Sequence, residues 1–461
     1  MDVRGYGGPF QGSLHACLYT PTRDDDKSDK TYFRSPESRA LQQCKNEIES
    51  AEKWDDFKKI TNPYEYVFLS WNRRSSRSVS MRQPLSRSYY KMIEMWKTGG
   101  FTHLLDHLVA RDGGLFTAHA AEGPGGFIEA CWEHAAKESW TVKQSFAITL
   151  RSEARNVPGW RKAVRFLAEH HDITILDGAD GTGNILVEAN QDAFVAHVRA
   201  HTPQGAHVYT ADGGFDFSAD YDSQEDIVFP LLVAESLIAI RSLTVGGCMI
   251  LKCFDTTERP TLDLLWLLCQ CFREWRIVKP HTSRAGNAER YFMGLGFVGH
   301  VEDVVAVLKG VQARQQWRYP ILKMEAMPTV WRDQVLAFQE QVEQMEYRTI
   351  RQTLDLIHTH DYQRIRNLVR ENIKRSIQWC LDFEEPVSSA WSNVEFERNV
   401  SKEAHDLLQI LSPDLANSAR HHAWYSRPST VSIALSFQGF RTERVEPVYT
   451  NPQGANPFTR Y

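Results

Sequence analysis

One glycine-rich turn constrains the fold of this chain more than any other feature. An apolar run at residues 115–120 leads into residues 121–127, whose sequence is Ala-Glu-Gly-Pro-Gly-Gly-Phe, and a helical pattern continues to residue 132. The order strand, glycine turn, helix places free backbone N–H groups beside a bound ligand at the helix N-terminus. Glycine permits this because no Cβ keeps the ligand away from the backbone. A tight turn that binds nothing is the alternative on the glycines alone.

Strand and helix patterns alternate along the chain after this turn. The strand-like runs are residues 145–150, 172–176, 206–210, 248–254, 275–278 and 291–297. Helical runs lie between most of them, notably residues 225–243 and 261–272, so we predict an α/β domain whose mostly parallel sheet has helices on both faces. Only residues 281–290 separate the last two strands, whereas a parallel crossover needs about a dozen residues or more. The final strand alone should therefore run antiparallel to the rest.

These patterns divide the chain into three predicted regions. Residues 1–79 should form an arm and a helix, residues 80–305 the α/β domain, and residues 306–461 a helical extension with a loop-rich tail from about residue 388. The 461 residues are 42% hydrophobic and 24% charged, which is typical of a globular protein with a substantial core. The net charge of -5 excludes a uniformly basic nucleic-acid coat but leaves room for a local basic groove.

Cysteine usage and hydropathy limit the compartment and the kind of site. The 8 cysteines include no CxxC pair, which argues against a disulfide framework and against a zinc ribbon. No metal site is expected, because His358 and His360 diverge on a helix. No stretch has the pattern of a signal peptide or of a membrane span. We therefore expect an intracellular protein, nuclear or cytoplasmic, in a reducing compartment and without a membrane partner.

Two basic segments are candidates for contact with nucleic acid. The first, at residues 71–91, is either a solvated linker or part of a phosphate-binding wall. Its arginines are Arg73, Arg74, Arg77, Arg82 and Arg87. The second is one face of a predicted helix in the C-terminal region, with cations at i, i+4 spacing. These cations are Arg366, Arg370 and Lys374. A solvated face is the simpler interpretation of the second segment, and RNA contact is the alternative.

Charged residues stand at the ends of predicted strands. Asp212 follows residues 206–211, Lys252 ends the apolar run from residue 246, and Glu289 precedes the antiparallel strand. All three should project from the edge of the sheet that carries the glycine turn, which is where ligands bind in open α/β sheets. A lysine that ends an apolar strand is costly unless it is paired, so a structural ion pair with Asp212 or Glu289 is the alternative to a catalytic role.

A dinucleotide-binding dehydrogenase is the obvious rival for such a sheet. That class carries an acidic residue for the ribose roughly 20 residues beyond the glycines. The corresponding residues 145–151 have the sequence Ser-Phe-Ala-Ile-Thr-Leu-Arg, and no acid occurs until Glu153. The loop at residues 177–184 also lacks the Gly-Lys-Ser/Thr of a phosphate-binding loop, so ATP is not the expected ligand.

Four ordered motifs make the chain resemble a known family. They are residues 121–127, residues 210–216 (Thr-Ala-Asp-Gly-Gly-Phe-Asp), residues 246–252 (Gly-Gly-Cys-Met-Ile-Leu-Lys) and residues 283–291 (Ser-Arg-Ala-Gly-Asn-Ala-Glu-Arg-Tyr). In this order they resemble the FtsJ-like family of RNA 2′-O-methyltransferases, and in particular its cap-specific branch. The resemblance covers residues 83 to about 300 and implies a Rossmann-like fold that depends on S-adenosylmethionine.

The resemblance also implies the site residues. Residues 86–92 are similar to the family helix that carries the first lysine of a Lys-Asp-Lys-Glu tetrad, which here is Lys91, Asp212, Lys252 and Glu289. S-adenosylmethionine would lie over Glu122, Gly123, Pro124, Gly125, Gly126 and Phe127. Asp212 and four further residues would also contact this cofactor, the latter by its ribose and adenine: Thr149, Leu150, Asp177 and Asp180. Asn184 stands where relatives often have Asp.

Methyl transfer to a ribose hydroxyl needs alignment and a base. Holding oxygen, carbon and sulfur in line supplies much of the rate. Our candidate for the base is Lys252, whose pKa would have to fall by about 3 from its ordinary value of about 10.4. Burial and the like charge of Lys91 act in that direction, whereas Asp212 and Glu289 oppose it and orient the amine. Lys91 would steer the 2′-oxygen or the neighbouring phosphate.

The function that these expectations favour is methylation of the ribose 2′-hydroxyl at the first or second nucleotide of capped mRNA. The expected partners are RNA and, beyond it, the capping or transcription machinery. Methylation of rRNA or tRNA is a second hypothesis, and a catalytically silent RNA-binding subunit with the same fold is a third. The sequence carries no prediction of the oligomeric state.

Overall fold

The computed structural model of this protein describes residues 1–7, 14–19, 36–69, 78–154, 157–214, 224–315, 317–359, 361–391 and 395–411. Its strands are β1 (Asp2–Tyr6), β2 (Leu115–Ala120), β3 (Val142–Ile148), β4 (Ile173–Leu176), β5 (Ala206–Ala211), β6 (Leu243–Cys253), β7 (Phe272–Val278) and β8 (Arg290–Phe297). Its α-helices are α1 (Pro36–Ile48), α2 (Trp54–Thr61), α3 (Ser88–Gly99), α4 (Phe101–Asp112), α5 (Gly126–Lys137), α6 (Val164–Glu169), α7 (Glu188–Ala200), α8 (Gln224–Ser242), α9 (Arg259–Gln270), α10 (Glu302–Arg314), α11 (Thr329–Thr359), α12 (Tyr362–Asp382) and α13 (Phe396–Leu411).

The eight strands of the described residues form one sheet in the order β1-β7-β8-β6-β5-β2-β3-β4. Strands β6, β5, β2, β3 and β4 are parallel, and β8 runs antiparallel to both β6 and β7. The predicted α/β fold and the predicted direction of the last strand are therefore confirmed. Strand β1 forms the edge of the sheet beside β7. It pairs antiparallel with β7, and Asp2 lies opposite Val278.

The prediction of a single antiparallel strand is wrong, because β1 also runs against the parallel strands. This strand has the sequence Asp-Val-Arg-Gly-Tyr, and its side chains alternate between exposed and half-buried. An edge strand of this kind buries no continuous apolar run and therefore carries a weak sequence signal. The first residues of the predicted N-terminal arm thus belong to the sheet.

Helices cover both faces of the sheet and bury a core on each. Along β6, Met249 and Leu251 pack into the core under α8 and α9, whereas Cys248 and Ile250 pack into the core under α3, α4 and α5. This alternation is the period of two that a strand buried on both faces requires. All residues of β2, β5 and β8 are buried, as expected for central strands.

The C-terminal region folds back onto the domain and includes one helix more than predicted. Helices α11 and α12 form the predicted helical region, but α13 occupies residues that were predicted to be a loop-rich tail. Four of its residues are buried and recur at helical spacing: Val400, Ala404, Leu407 and Leu408. The residues between them are mostly polar, so the helical pattern is hard to recognise in the sequence. The remainder of that tail lies outside the described residues. Within the described parts of the chain, no helix is both long and apolar enough to cross a membrane.

Candidate active site

The ends of several strands meet at one edge of the sheet. Since β8 runs antiparallel to β6, its first residues lie beside the end of β6, and Lys252 is paired with Tyr291. Strand β5 lies on the other side of β6 and is followed directly by Asp212. The topology therefore brings Asp212, Lys252 and Glu289 to the same edge although they are far apart in the sequence.

Lys91 joins this group from α3, and the four charged side chains form one cluster. The Nζ atom of Lys91 lies 2.7 Å from Oε1 of Glu289. The Nζ atom of Lys252 lies 3.6 Å from Oδ1 of Asp212 and 3.7 Å from Oε2 of Glu289. Lys91 is 9% exposed and Glu289 7%. Two ammonium groups thus face two carboxylates, so that the charges in this largely buried site compensate one another.

Tyr291 bridges the two halves of the cluster. Its hydroxyl donates a hydrogen bond of 2.7 Å to Oδ1 of Asp212 and accepts one of 3.1 Å from Nζ of Lys91. The tyrosine is fully buried, and its ring lies 5.9 Å from the ring of Phe127 in the glycine turn. The sequence motif that contains Tyr291 predicts no role for it, because a tyrosine in an apolar strand is most often a core residue.

The prediction that the pKa of Lys252 is lowered is wrong. Burial does act in that direction, but Asp212 and Glu289 outweigh it and raise the pKa of Lys252 above its ordinary value. Lys91, whose like charge was expected to lower this pKa, is itself paired with Glu289. Burial alone would raise the pKa of Glu289, but Lys91 and Lys252 hold it well below its usual range. Lys252 is therefore an ammonium group at neutral pH.

A further lysine supports the segment that leads to Glu289. The Nζ atom of Lys279 donates hydrogen bonds of 2.8 Å to the backbone oxygens of Glu289 and Asn287, and another of 2.8 Å to Oδ1 of Asn287. Burial lowers the pKa of Lys279 to about 7. Sequence analysis missed this residue, although it directly follows the predicted strand at residues 275–278.

The glycine turn packs against the start of α3. A Cβ atom on Gly126 would lie 2.2 Å from Oγ of Ser88 and 2.9 Å from the backbone nitrogen of Tyr89. Gly125 has a φ of 102°, in the left-handed region that favours glycine. The missing side chain at Gly126 therefore lets α3, which carries Lys91, approach the turn closely.

Glu122 places a buried carboxyl group beside this turn. It is 3% exposed, and its Oε1 accepts a hydrogen bond of 2.6 Å from the hydroxyl of Thr210. Its Oε2 is buried and has no hydrogen-bond partner among the described residues. Burial raises the pKa of Glu122 well above its ordinary value. An acceptor with spare capacity, next to open backbone, fits a ligand that carries an amino group.

The other residues of the turn differ in what they offer a ligand. Gly123 packs closely on the backbone of Gly159, since a Cβ there would come within 2.9 Å of the carbonyl oxygen of that glycine. Pro124 is half-buried. The side chain of Phe127 is fully buried in the core, so this residue has only its backbone to offer a ligand.

The loops after β3 and β4 lie against each other. A Cβ atom on Gly183 would come within 2.0 Å of the backbone oxygen of Thr149, so only glycine allows this approach. Thr149 is buried at this contact, whereas Leu150 is 42% exposed. Two of the residues predicted to contact a cofactor thus lie at the end of β3, one of them with an accessible apolar side chain.

The acidic residues of the β4 loop have protein partners. Asp177 forms an ion pair of 2.9 Å with Arg151. Asp180 accepts hydrogen bonds from the backbone and the hydroxyl of Thr182, at 2.9 and 2.7 Å, and one from Asn190 at 2.9 Å. These bonds hold the loop in shape, so Asp180 has a structural role whether or not it contacts a ligand.

Trp160 is a residue of this region that sequence analysis missed. A Cβ atom on Gly125 would lie 3.5 Å from its indole ring, which places the tryptophan over the glycine turn. Its Nε1 is buried and has no hydrogen-bond partner among the described residues. The available signal was a single large aromatic residue in the otherwise polar segment 151–162.

The structure gives most of the basic residues intramolecular partners. Arg82 pairs with Glu133 and Glu385 at 2.7 and 3.1 Å, and Arg87 lies 3.2 Å from Glu65. The other arginines of the first basic segment, Arg73, Arg74 and Arg77, lie outside the described residues.

The face that carries Arg366 and Arg370 contacts α13. Their guanidinium groups lie 3.7 and 2.5 Å from the carboxylate of Glu397 on that helix. Lys374 pairs with Glu371 at 3.2 Å. Arg366 and Arg370 therefore attach a neighbouring helix and are not fully solvated. Of the two histidines considered for metal binding, His358 is exposed on α11, and His360 lies outside the described residues.

The segment that builds this site is similar in sequence to known proteins. The family model described as FtsJ-like methyltransferase matches residues 84–297. The cap-specific mRNA (nucleoside-2′-O-)-methyltransferase 1 of Drosophila melanogaster is 34% identical over 186 residues, which are 40% of this chain and 23% of that protein. The enzyme of the same name from Trypanosoma cruzi is 32% identical over 223 residues, or 46% of this chain and 57% of that protein. The cap-specific mRNA (nucleoside-2′-O-)-methyltransferase 2 of Danio rerio is 32% identical over 231 residues, or 48% of this chain and 29% of that protein.

The chain thus spans between 23% and 57% of the length of these three relatives. The matched segment contains the glycine turn, the strand ends and the whole charged cluster described above. The predicted resemblance is confirmed, since residues 84–297 match the model of the FtsJ-like methyltransferase family.

Proposed function

We propose that this protein transfers a methyl group from S-adenosylmethionine to the ribose 2′-hydroxyl of RNA, and that its substrate is capped mRNA, methylated at the first or second nucleotide. The observation that carries the proposal is the contact network of Lys91, Asp212, Lys252 and Glu289 at the edge of the sheet that also carries the glycine turn. The names of the three relatives, all cap-specific mRNA methyltransferases, support the choice of RNA substrate.

The residues around the glycine turn fit S-adenosylmethionine. The glycines of the turn have no side chain of their own to cover the backbone N–H groups, and the oxygen of Glu122 that has no partner among the described residues suits the amino group of the methionine moiety. The end of β3, with Thr149 and Leu150, and the loop with Asp177 and Asp180 would adjoin the ribose and adenine. When bound, the cofactor supplies a methyl group that is activated by a positively charged sulfur.

The chain's own residues then have two tasks, to orient the 2′-hydroxyl and to remove its proton. We assign the base to Lys252, at the end of β6. The pKa of this lysine is raised in the free protein, so only a small fraction of molecules carries the neutral amine that can accept the proton. Asp212 and Glu289 hold this amine in place from two sides. Lys91, which is tied to Glu289, would bind the 2′-oxygen or the adjacent phosphate.

A competition experiment tests the choice of substrate. Equal amounts of capped mRNA leader, uncapped leader, tRNA and rRNA fragments are offered together with tritiated S-adenosylmethionine, and labelled nucleotides are mapped after nuclease digestion. The proposal predicts label in the first or second nucleotide of the capped RNA. Label in tRNA or rRNA would replace the substrate class, and the absence of any transfer, with cofactor bound, would favour the silent RNA-binding subunit.

A further inference from the structure

We infer that Gln339, on the long helix α11, is a positioning residue of the active site. Helix α11 lies outside the family match at residues 84–297, so nothing in the matched domain assigns it a part in the reaction. The inference rests on the proposed function, because the segments that Gln339 contacts adjoin Lys252 and Glu289.

The carboxamide of Gln339 is buried and fully engaged. The residue is 3% exposed. Its Oε1 accepts hydrogen bonds of 3.0 Å from both the backbone N–H and the hydroxyl of Thr256, and another from Nη1 of Arg290. Its Nε2 donates bonds of 3.0 Å to Asp255 and to Glu343. One side chain therefore satisfies polar groups from two different segments of the catalytic domain.

These two segments are the ones that present the catalytic groups. Asp255 and Thr256 follow the end of β6, just beyond Lys252. Arg290 is the first residue of β8 and comes directly after Glu289. Gln339 thus links the segment that follows Lys252 to Arg290, which follows Glu289. The distance between the amine and the carboxylate is fixed partly from outside the sheet.

Arg290 transmits this hold to the backbone around Glu289. It is fully buried, and its Nε donates a hydrogen bond of 3.0 Å to the backbone oxygen of Ala288. Its Nη2 lies 3.2 Å from Oδ1 of Asp255. The guanidinium also lies 5.9 Å from the ring centre of Phe338, the neighbour of Gln339 on α11. Arg290 therefore contacts the chain on one side of Glu289 while α11 holds the guanidinium in place.

The arrangement makes the acceptor oxygen of Gln339 the important atom. Replacing Gln339 by Met keeps a side chain of similar length but leaves the Thr256 donors and one N–H of Arg290 without their acceptor. Replacing it by Glu keeps the acceptor for all three of these donors. Burial beside Asp255 and Glu343 favours the protonated form of the new carboxyl group, whose O–H can donate to one of these two residues. A residue that only filled space would tolerate Met, whereas a positioning residue should tolerate Glu better.

The test compares Gln339→Met, Gln339→Glu and the control Gln341→Met with the unaltered protein. Gln341 lies two residues further along the same helix and is exposed. For Gln339→Met we expect kcat for methyl transfer to RNA to fall by about tenfold or more, with KM for RNA and affinity for S-adenosylmethionine changed less than about threefold. Gln339→Glu should keep kcat within about threefold, and the control should match the unaltered protein.

Three results would overturn the inference while the unaltered protein is active. They are unchanged kcat in Gln339→Met, equal losses of kcat in the Met and Glu variants, and a loss of cofactor affinity that parallels the loss of kcat. If Gln339→Met fails to fold, folded Gln339→Glu decides by the pattern of its losses, because a fall in cofactor affinity as large as the fall in kcat contradicts a positioning role. An unaltered protein that binds the cofactor but transfers no methyl group to RNA would instead contradict the proposed function.

Discussion

Lys252 is held by Asp212 and Glu289, which orient its amine but also keep it protonated. The two effects oppose each other in catalysis, because a well-placed amine is useful as a base only after it has lost a proton. In the free protein the pKa of Lys252 is raised, so its amine is held in place but is mostly protonated. The cost should be visible in the dependence of the rate on pH.

The first prediction concerns this pH dependence. Since the pKa of Lys252 is raised, the neutral fraction grows in proportion to hydroxide throughout the neutral range. We therefore expect kcat/KM for methyl transfer to rise about tenfold per pH unit between about pH 6.5 and 9, without a plateau. Single-turnover assays, in which chemistry limits the rate, make this measurement. A plateau near neutral pH would show that the base has a lowered pKa and is not Lys252 in the state described here.

The second prediction concerns the bridge formed by Tyr291. Tyr291→Phe removes the hydroxyl that joins Lys91 to Asp212 and leaves the ring in the core. Hydrogen bonds to charged groups contribute about 1.5–3 kcal/mol, so kcat should fall by roughly 10- to 100-fold if the bridge orients the cluster during the reaction. The half-exposed Tyr319 provides a matched control as Tyr319→Phe. Normal kcat in Tyr291→Phe would show that the Tyr291 hydroxyl does not orient the cluster during the reaction.

Some of these residues were open to prediction and others were not. Asp212 and Lys252 stand at the ends of apolar strands, so they can be recognised from the sequence pattern. The tyrosine at 291 and the glutamine at 339 lie within an apolar strand and an amphipathic helix, where their types are ordinary. Their roles depend on which distant groups they meet, and that is set by the tertiary structure alone. The raised pKa of Lys252 was missed for the same reason, since it depends on how closely Asp212 and Glu289 approach the amine in the folded protein.

The glycine turn and α3 act as a pair of elements. The turn lies where we propose the cofactor binds, and α3 carries Lys91 to the same edge of the sheet. Their close packing at Gly126 means that a single methyl group would disturb both functions.

The third prediction follows from this packing. In Gly126→Ala the new Cβ meets the backbone of Tyr89 as well as Ser88, so α3 must move away from the turn. Overpacking of this kind costs about 1–3 kcal/mol, and we expect weaker binding of S-adenosylmethionine together with lower kcat. Calorimetric titration and the transfer assay measure the two effects. Gly310→Ala on α10, where a Cβ would meet nothing nearer than 3.4 Å, is the control. Unchanged affinity and rate in Gly126→Ala would contradict the proposed location of the cofactor.

Elements were predictable where they bury a continuous apolar surface. The strands β2, β5 and β8 are buried throughout and were all located from their apolar runs. The sequence of residues 85–109 has a helical pattern throughout, but it forms two helices, α3 and α4, because Gly100 adopts a φ of 67° and ends α3. The strand β1 and the helix α13 were missed. Each buries only part of its surface, so that polar residues hide the period of its pattern.

The fold of the whole molecule is built on a sheet with both faces buried. A buried histidine lies on one of its inner strands, β2. His119, on β2, is fully buried between Thr117 and Thr210, with ring nitrogens 2.8 and 2.7 Å from their hydroxyl oxygens. Burial lowers the pKa of His119 to about 3. As the pH falls, the unfolded protein therefore binds a proton at His119 that the folded protein does not bind.

The fourth prediction is the resulting loss of stability in acid. The pKa of His119 is about 3 in the folded state and about 6.5 in the unfolded state, so between these values the unfolded state binds one more proton. The free energy of unfolding should rise with pH in this window and fall as the pH drops from about 6.5 to 3. His119→Gln should reduce that slope by about 1.4 kcal/mol per pH unit, whereas the exposed His171→Gln should not. Urea unfolding at several pH values measures the slope, and equal slopes in all three proteins would show that His119 is not held neutral.

The central claim is that one charged cluster, gathered from α3, β5, β6 and β8, carries out 2′-O-methylation. The most direct measurement compares Lys252→Ala with Lys402→Ala, an exposed lysine on α13, for transfer of tritium from S-adenosylmethionine to capped RNA. Cofactor and RNA binding are measured on the same samples. The account predicts that Lys252→Ala binds both ligands but transfers methyl groups at least about a hundredfold more slowly, while Lys402→Ala is normal. Normal turnover by Lys252→Ala, with both ligands bound, would contradict it.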